Sequence, residues 1–368
     1  MAETEPTNGS GPSAGSGPSA QGEAAVAEPP AGPLIHVAPS PHLSKTSLTT
    51  RLMMLDVIIG LLPVVAMAVL IFRWYAITQV GLCILSCLAF EALFTRLRGK
   101  AVTLGDGSAV VTGAILGLSL PWSAPWYIAV IGSAIGIGLG KVVFGGLGYN
   151  IFNPAMVGRA FVMLSFAKEM GASAYVAAQS QLPVVTQATP LTVAKKVAAD
   201  LAAGKISIGD VQAQLHSASQ LWPLFLGNIN GSLGETSALA ILLGGCYLCL
   251  RRSASWEIPA GVILSSFLLA GLANFLKLTP FTALHHLISG ALLFGAFFIA
   301  TDPVTSPLTP KGKFIFGLGV GAYVMLIRLF SGYPEGVMFA VLLMNIVVPL
   351  INQWTIPRPI GGPMPKVL

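Results

Sequence analysis

Apolar stretches recur along most of this chain, and nothing else restricts its fold as strongly. Ten can be marked, at roughly 53–72, 76–94, 106–120, 126–142, 154–167, 234–250, 257–275, 282–300, 313–330 and 335–351. Charged residues make up 9% of the chain and hydrophobic ones 54%, far from the balance of a water-soluble domain. Inside a bilayer every backbone polar group must be satisfied within the protein, and segments of these lengths do that as helices. The expected fold is therefore an all-α polytopic membrane protein with about ten transmembrane helices. Segments 106–120 and 154–167 are short. At ~1.5 Å per residue each covers about 20 Å, less than a hydrocarbon core of about 30 Å. Short segments flanked by glycine or proline point to half-length or broken helices around a buried site.

The formal charge of +6 does not indicate nucleic-acid binding, because the bases lie in short clusters between apolar runs. With the N-terminus in the cytoplasm, one side receives Lys45, Arg51, Arg96, Arg98, Lys100, Lys141, Arg251, Arg252, Lys311, Lys313, Arg358 and Lys366. The short loops of the other side receive only Arg73 and Lys277. This asymmetry orients both termini toward the cytoplasm of a bacterial inner membrane and residues 168–222 outward. Residues 1–35 form a Gly-, Ser-, Pro- and Ala-rich tail, expected to be disordered, without the basic-then-apolar pattern of a cleavable signal. The remaining divisions are a first membrane repeat at 36–167, the outward loop at 168–222, a second repeat at 223–355 and a tail at 356–368. In the outward loop, Val193–Ala203 and Ile208–Leu215 read as short amphipathic helices.

The two membrane blocks echo each other. Thr112-Gly113-Ala114-Ile115-Leu116 is matched by Ser289-Gly290-Ala291-Leu292-Leu293, and Gly136-Ile137-Gly138-Leu139-Gly140 by Gly317-Leu318-Gly319-Val320-Gly321. Five spans is an odd number, so two such repeats would be inverted relative to each other. Gly132, Gly136 and Gly140 form a stripe that lets helix backbones approach closely, a packing device.

Several ordered motifs resemble one family. These are Ser40-Pro41-His42, Met54-Leu55-Asp56-Val57, the run from Phe144-Gly145-Gly146-Leu147-Gly148-Tyr149-Asn150 through Asn153-Pro154-Ala155 to Gly158-Arg159-Ala160-Phe161, Gly231-Ser232-Leu233-Gly234-Glu235-Thr236-Ser237-Ala238, and Thr301-Asp302-Pro303-Val304-Thr305. Over residues 36 to 355 the chain resembles the D subunit of the Rnf-type ion-translocating ferredoxin:NAD oxidoreductase. More distantly, it resembles the B subunit of the sodium-translocating NADH:quinone oxidoreductase. The resemblance implies FMN held covalently on a threonine by a phosphoester. The attachment motif is roughly (Ser/Thr)-Gly-Ala-Thr, and Thr186-Gln187-Ala188-Thr189 aligns with it, making Thr189 the acceptor. Gln187 stands in place of the usual glycine, and no acid lies just upstream. Around that flavin the candidates are Arg159 for the phosphate, and Glu235 and Thr236 beyond the loop. Glu235 reads equally as a helix cap or a contact to the isoalloxazine. The resemblance also implies a second, non-covalent flavin such as riboflavin near Asn150 and Asn153. It implies activity only within a complex, whose partners include a second covalent-FMN subunit and iron–sulfur subunits.

Acids near spans are costly and often line ion or proton paths. Asp106 and Asp302 are candidates for such a path, while Asp56 and Glu91 read as interfacial caps or salt-bridge partners. His285 and His286 read as interfacial anchors. Cys83, Cys87, Cys246 and Cys249 all fall inside spans, which argues against structural disulfides. Four thiolates would suit an iron–sulfur cluster, but the resemblance places the membrane cluster in other subunits, so no metal is expected here. The leading expectation is a flavoprotein subunit of a redox-driven ion pump. A channel or uptake transporter, or a structural anchor for partner subunits, is the alternative.

Overall fold

The computed structural model describes residues 49–100, 104–170, 191, 221–227, 231–276, 278–279, 281–331, 333 and 335–357. Contacts divide the chain into Met1–Val37 and Ala38–Leu368, and every described residue belongs to the second unit.

The described residues form helices and no named strand. Five helices are long and apolar enough to cross a membrane: α1 (Thr50–Phe72), α2 (Trp74–Leu97), α9 (Glu257–Phe275), α12 (Pro310–Phe330) and α13 (Val337–Thr355). Four shorter apolar helices are α3 (Ser108–Ser119), α4 (Trp126–Ile137, continued as a π-helical turn Gly138–Val142), α5 (Pro154–Ser165) and α8 (Ala238–Arg251). Brief helices are α6 (Ala167–Met170), α7 (Leu221–Leu226), α10 (Ala283–Ile288) and α11 (Leu292–Phe294, continued as a π turn Gly295–Ile299). The protein is thus a multi-pass membrane protein. Leu70, Leu85, Leu250 and Phe275 project from its surface, where lipid rather than water is the fitting neighbour.

Local sequence explains most boundaries. Thr49, Asn153, Ser237 and Thr309 cap α1, α5, α8 and α12 through side-chain oxygens that accept a backbone N–H. Pro154 and Pro310 occupy first-turn positions, where a missing N–H costs nothing. The segment expected at 282–300 is interrupted. Its chain unwinds at Ser289–Ala291, with Gly290 at φ +70°, between α10 and α11.

Glycines set the closest crossings. In the first half the Gly132, Gly136 and Gly140 stripe of α4 receives α5, whose Gly158 has room for no side chain against the Gly132 carbonyl. In the second half Gly317 and Gly321 of α12 instead pack on α9, at Ile258, Gly261 and Ser265. The halves meet where Gly60 of α1 crosses Gly244 of α8 so closely that a Cβ on Gly244 would strike the Gly60 carbonyl. The bundle has a near end, where α1 begins, and a far end, where α1 turns at Arg73 into α2.

Candidate functional site

At the near end both halves contribute to one pocket. Its wall is apolar at Met53, Met54, Val57, Leu248 and Phe298, and polar at Ser108, Thr112, Lys141, Asn150, Asn153, Thr301 and Asp302. It spans about 760 Å³ of space free of protein atoms, part of it open to the surroundings. Each half sends one π turn to it: Lys141 comes from the turn ending α4 and Phe298 from the turn following α11. Such turns leave carbonyls out of the α-helical ladder and frequently mark functional sites.

Asn153 and Asn150 both line the pocket but are used differently. Asn153 is committed to structure. Its Oδ1 accepts from Met156 N (3.2 Å), its Nδ2 donates to the Ile299 carbonyl (3.3 Å), and its backbone N–H donates to the Asn345 amide oxygen (3.1 Å). Asn150 donates Nδ2 to the Phe152 carbonyl (3.2 Å), while its buried Oδ1 has no partner. An orphaned acceptor at the edge of an apolar cleft suits a ring N–H of a planar heterocycle.

The acids fall into two kinds. Asp302 accepts from Val304 N (3.1 Å) and Thr305 Oγ1 (3.1 Å), so the chain immediately after it supplies its partners. Asp106 lies in a short 3₁₀ turn and accepts from Ser108 N (2.9 Å), the first N–H of α3, and from Ser108 Oγ (2.7 Å). Glu91, by contrast, is paired with Lys141 (2.6 Å), and Lys141 also donates to Ser108 Oγ (2.5 Å). Asp56 accepts from Tyr247 Oη, Arg251 Nε and Ser253 Oγ, and so clasps α1 to the end of α8. Lys141 and Lys313, counted among the bases of the cytoplasmic side, are buried within helices, Lys313 donating to Ser255 Oγ (2.6 Å).

Toward the far end, the buried Arg159 of α5 stands 3.5 Å from Glu235. Glu235 does not cap α8, which begins later, at Ala238, under Ser237. Arg159 Nε and Glu235 Oε1 lack hydrogen-bond partners. The stretch before α8 is fixed by backbone bonds to the end of α3, Leu233 N to Leu120 O (3.3 Å) and Gly234 N to Leu118 O (2.7 Å), so buried Thr236 is held deep in the bundle. Sequence reasoning missed a second pair, Arg328 with Glu335 (3.0 Å), although an arginine inside an apolar run with an acid seven residues on is a usable signal. Glu335 is also an electrostatic neighbour of Glu235.

His285 and His286 are buried in the protein, bonded to Thr282 Oγ1 (2.6 Å) and Thr279 Oγ1 (3.0 Å). Cys83 and Cys87 are buried in α2, whereas Cys246 is exposed on α8. Among the described residues no cluster of His, Cys, Asp or Glu is arranged to hold a metal ion. Thr186, Ala188 and Thr189 lie outside the described residues, as do Val193–Ala203 and Ile208–Leu215. Leu191, two residues past Thr189, is buried and lies against Gly290.

These features define a class: an integral membrane protein in which half-length and interrupted helices from two blocks enclose a largely apolar pocket with polar groups on its wall. Residues 36–361 match the model of the NQR2, RnfD, RnfE family, and the chain belongs to that family. It is 44% identical over 329 residues to the D subunit of the ion-translocating oxidoreductase complex of Stutzerimonas stutzeri, covering 84% of this chain and 91% of that one. It is 40% identical to the D subunit of the Na(+)-translocating ferredoxin:NAD(+) oxidoreductase complex of Acetobacterium woodii (88% and 95% covered). It is 38% identical to the D subunit of the proton-translocating ferredoxin:NAD(+) oxidoreductase complex of Clostridium ljungdahlii (88% and 96% covered).

Proposed function

We propose that this chain is the membrane flavoprotein subunit of a redox-driven ion pump that couples electron transfer between ferredoxin and NAD to sodium or proton translocation. The observation that carries the reading is the family match across 36–361, which takes in the Thr186-Gln187-Ala188-Thr189 motif in the longest polar stretch between the membrane blocks. In this reading Thr189 Oγ1 holds FMN as a phosphoester on the outer face of a bacterial inner membrane, with both termini cytoplasmic. Exposed Trp74, Tyr75, Trp126 and Trp222 at the far end, and Trp256 and Trp354 at the near end, support two interfacial belts. Ten crossings in two inverted repeats belong to the same reading, on the motifs that the two blocks share.

When bound, the flavin supplies one- and two-electron transfer, and the protein supplies its position and surroundings. Arg159 suits the phosphate, since its Nε remains an unused donor in a buried setting. Glu235 holds that guanidinium in place. The near-end pocket suits a second, non-covalent flavin, with Asn150 Oδ1 as the polar handle and Asn153 fixing the wall behind it. Asp302, and with it Asp106, are the carboxylates best suited to an ion path. Each is hydrogen-bonded to its own local chain, and neither joins the ion pairs formed by Glu91, Glu235, Asp56 and Glu335. Partner subunits would include a second covalent-FMN subunit and iron–sulfur subunits.

Protein made alongside its native modifying enzyme and run on a denaturing gel should fluoresce as a flavin, and Thr189→Ala should abolish the signal. A dark wild-type band would sink the reading. Asn150→Leu should hold the extractable flavin less tightly while keeping the covalent one. Loss of one hydrogen bond of about 1 kcal/mol predicts several-fold weaker retention. Unchanged extractable flavin would remove Asn150 from the site.

A further inference from the structure

The interrupted helix of the second half joins three things. Its break, Ser289–Ala291, leaves the last carbonyls of α10 and the first N–H of α11 without helical partners. One ion pair, buried Arg328 with half-buried Glu335, satisfies both sides. Arg328 donates to the His286 carbonyl (2.5 Å) and the Ser289 carbonyl (2.9 Å), while Glu335 accepts from Ala291 N (3.1 Å) and from Arg328. Gly290, between them, is at φ +70°, and a Cβ there would strike Glu335 Oε2 and lie 3.0 Å from Arg328 Nη2 and 2.9 Å from Leu191 Cδ1. Leu191 thus rests on the break beside both members of the pair. Beyond the break, α11 and its π turn run to the near-end pocket, where Thr301 Oγ1 donates to the Phe297 carbonyl (2.6 Å) and Asp302 follows.

We propose that Arg328 and Glu335 are positioning residues that couple the chain beside Thr189 to Asp302. The inference rests on the reading of Thr189 as the flavin site. A shift of Leu191 moves Gly290, which has no side chain to absorb it. The ion pair transmits the shift because its hydrogen bonds grip both flanks of the break. The segment 291–299 is one short packed helix, so displacement at its far end appears at Asp302. Coupling between distant sites requires a contiguous element that both sites bias, and in this proposal the side-chain-held break is that element.

The test uses the whole complex in proteoliposomes, with wild type, Glu335→Gln, Leu191→Ala, Arg328→Lys and Arg328→Gln. Covalent flavin is read on a denaturing gel, electron transfer from ferredoxin to NAD by absorbance, and ion movement by sodium-22 uptake and by an internal pH dye. Glu335→Gln and Leu191→Ala should keep covalent flavin and near-wild-type electron transfer. The ions moved per electron should fall by about fivefold or more, the lower end of usual coupling strengths. Arg328→Lys should retain more coupling than Arg328→Gln. If Glu335→Gln fails to assemble, Leu191→Ala, which leaves the ion pair intact, decides. An unchanged ion-to-electron ratio in Leu191→Ala overturns the coupling role while leaving the flavin reading intact. Absence of covalent flavin in wild type overturns both.

Discussion

The two halves interrupt a helix in different ways. In the first half α3 ends at Ser119, and the extended chain after it is held by the backbone of residues 231–234, through Leu120–Leu233, Leu118–Gly234 and the Pro121–Ser232 bridge. In the second half the break at Ser289–Ala291 is held by the side chains of Arg328 and Glu335. Backbone bonds do not depend on any one side chain, so the first break is a fixed piece of scaffold. A side-chain ion pair can be strengthened, weakened or moved by charge nearby, so the second break is a joint. The halves also differ in what each interrupted helix presents at the near end: α3 begins there beside Asp106, which accepts from its first N–H, and α11 leads there to Asp302.

Arg328 is where the contrast between scaffold and joint breaks most readily. Arg328→Leu should destabilise the detergent-solubilised protein by about 3–5 kcal/mol, because it strands Glu335 and two buried carbonyls. Loss of less than about 1 kcal/mol in thermal or denaturant unfolding would show that the joint is not held by this pair. Asp302→Asn should come next, lowering ion-coupled turnover on the order of tenfold, about 1.4 kcal/mol, with flavin still bound. Unchanged pumping would rule out an essential carboxylate there. Asp106→Ala should be smallest, lowering ion-coupled turnover by about two- to threefold and stability by about 1 kcal/mol, because its carboxylate accepts from the first N–H of α3. A large coupling defect in Asp106→Ala would make the two carboxylates equivalent and erase the asymmetry.

Much of the helix pattern is legible in the sequence. Apolar runs locate the helices to within a few residues, and 257–275 matches α9 at both ends, because apolar length is what lipid demands of a spanning helix. The glycine stripe of α4 is legible too, since only small residues allow its contact with Gly158. The second-half joint is hidden. Unwinding at Ser289–Ala291 carries no proline, and its stabilisation comes from residues about forty positions later that fold back on it. For the same reason the pairing of Lys141 is not legible: its partner Glu91 lies fifty residues earlier, on another helix. Thr189 stands out only through the motif around it, because a reactive threonine has no periodicity or composition of its own.

Whether Thr189 carries the flavin is decided most directly by peptide mass spectrometry. Protein made with its native modifying enzyme is digested, and the peptide containing Thr186-Gln187-Ala188-Thr189-Pro190-Leu191 is fragmented. This peptide should be heavier by one FMN less a water, with fragments placing the addition on Thr189. An unmodified peptide, or an addition on Thr186 instead, would contradict the assignment.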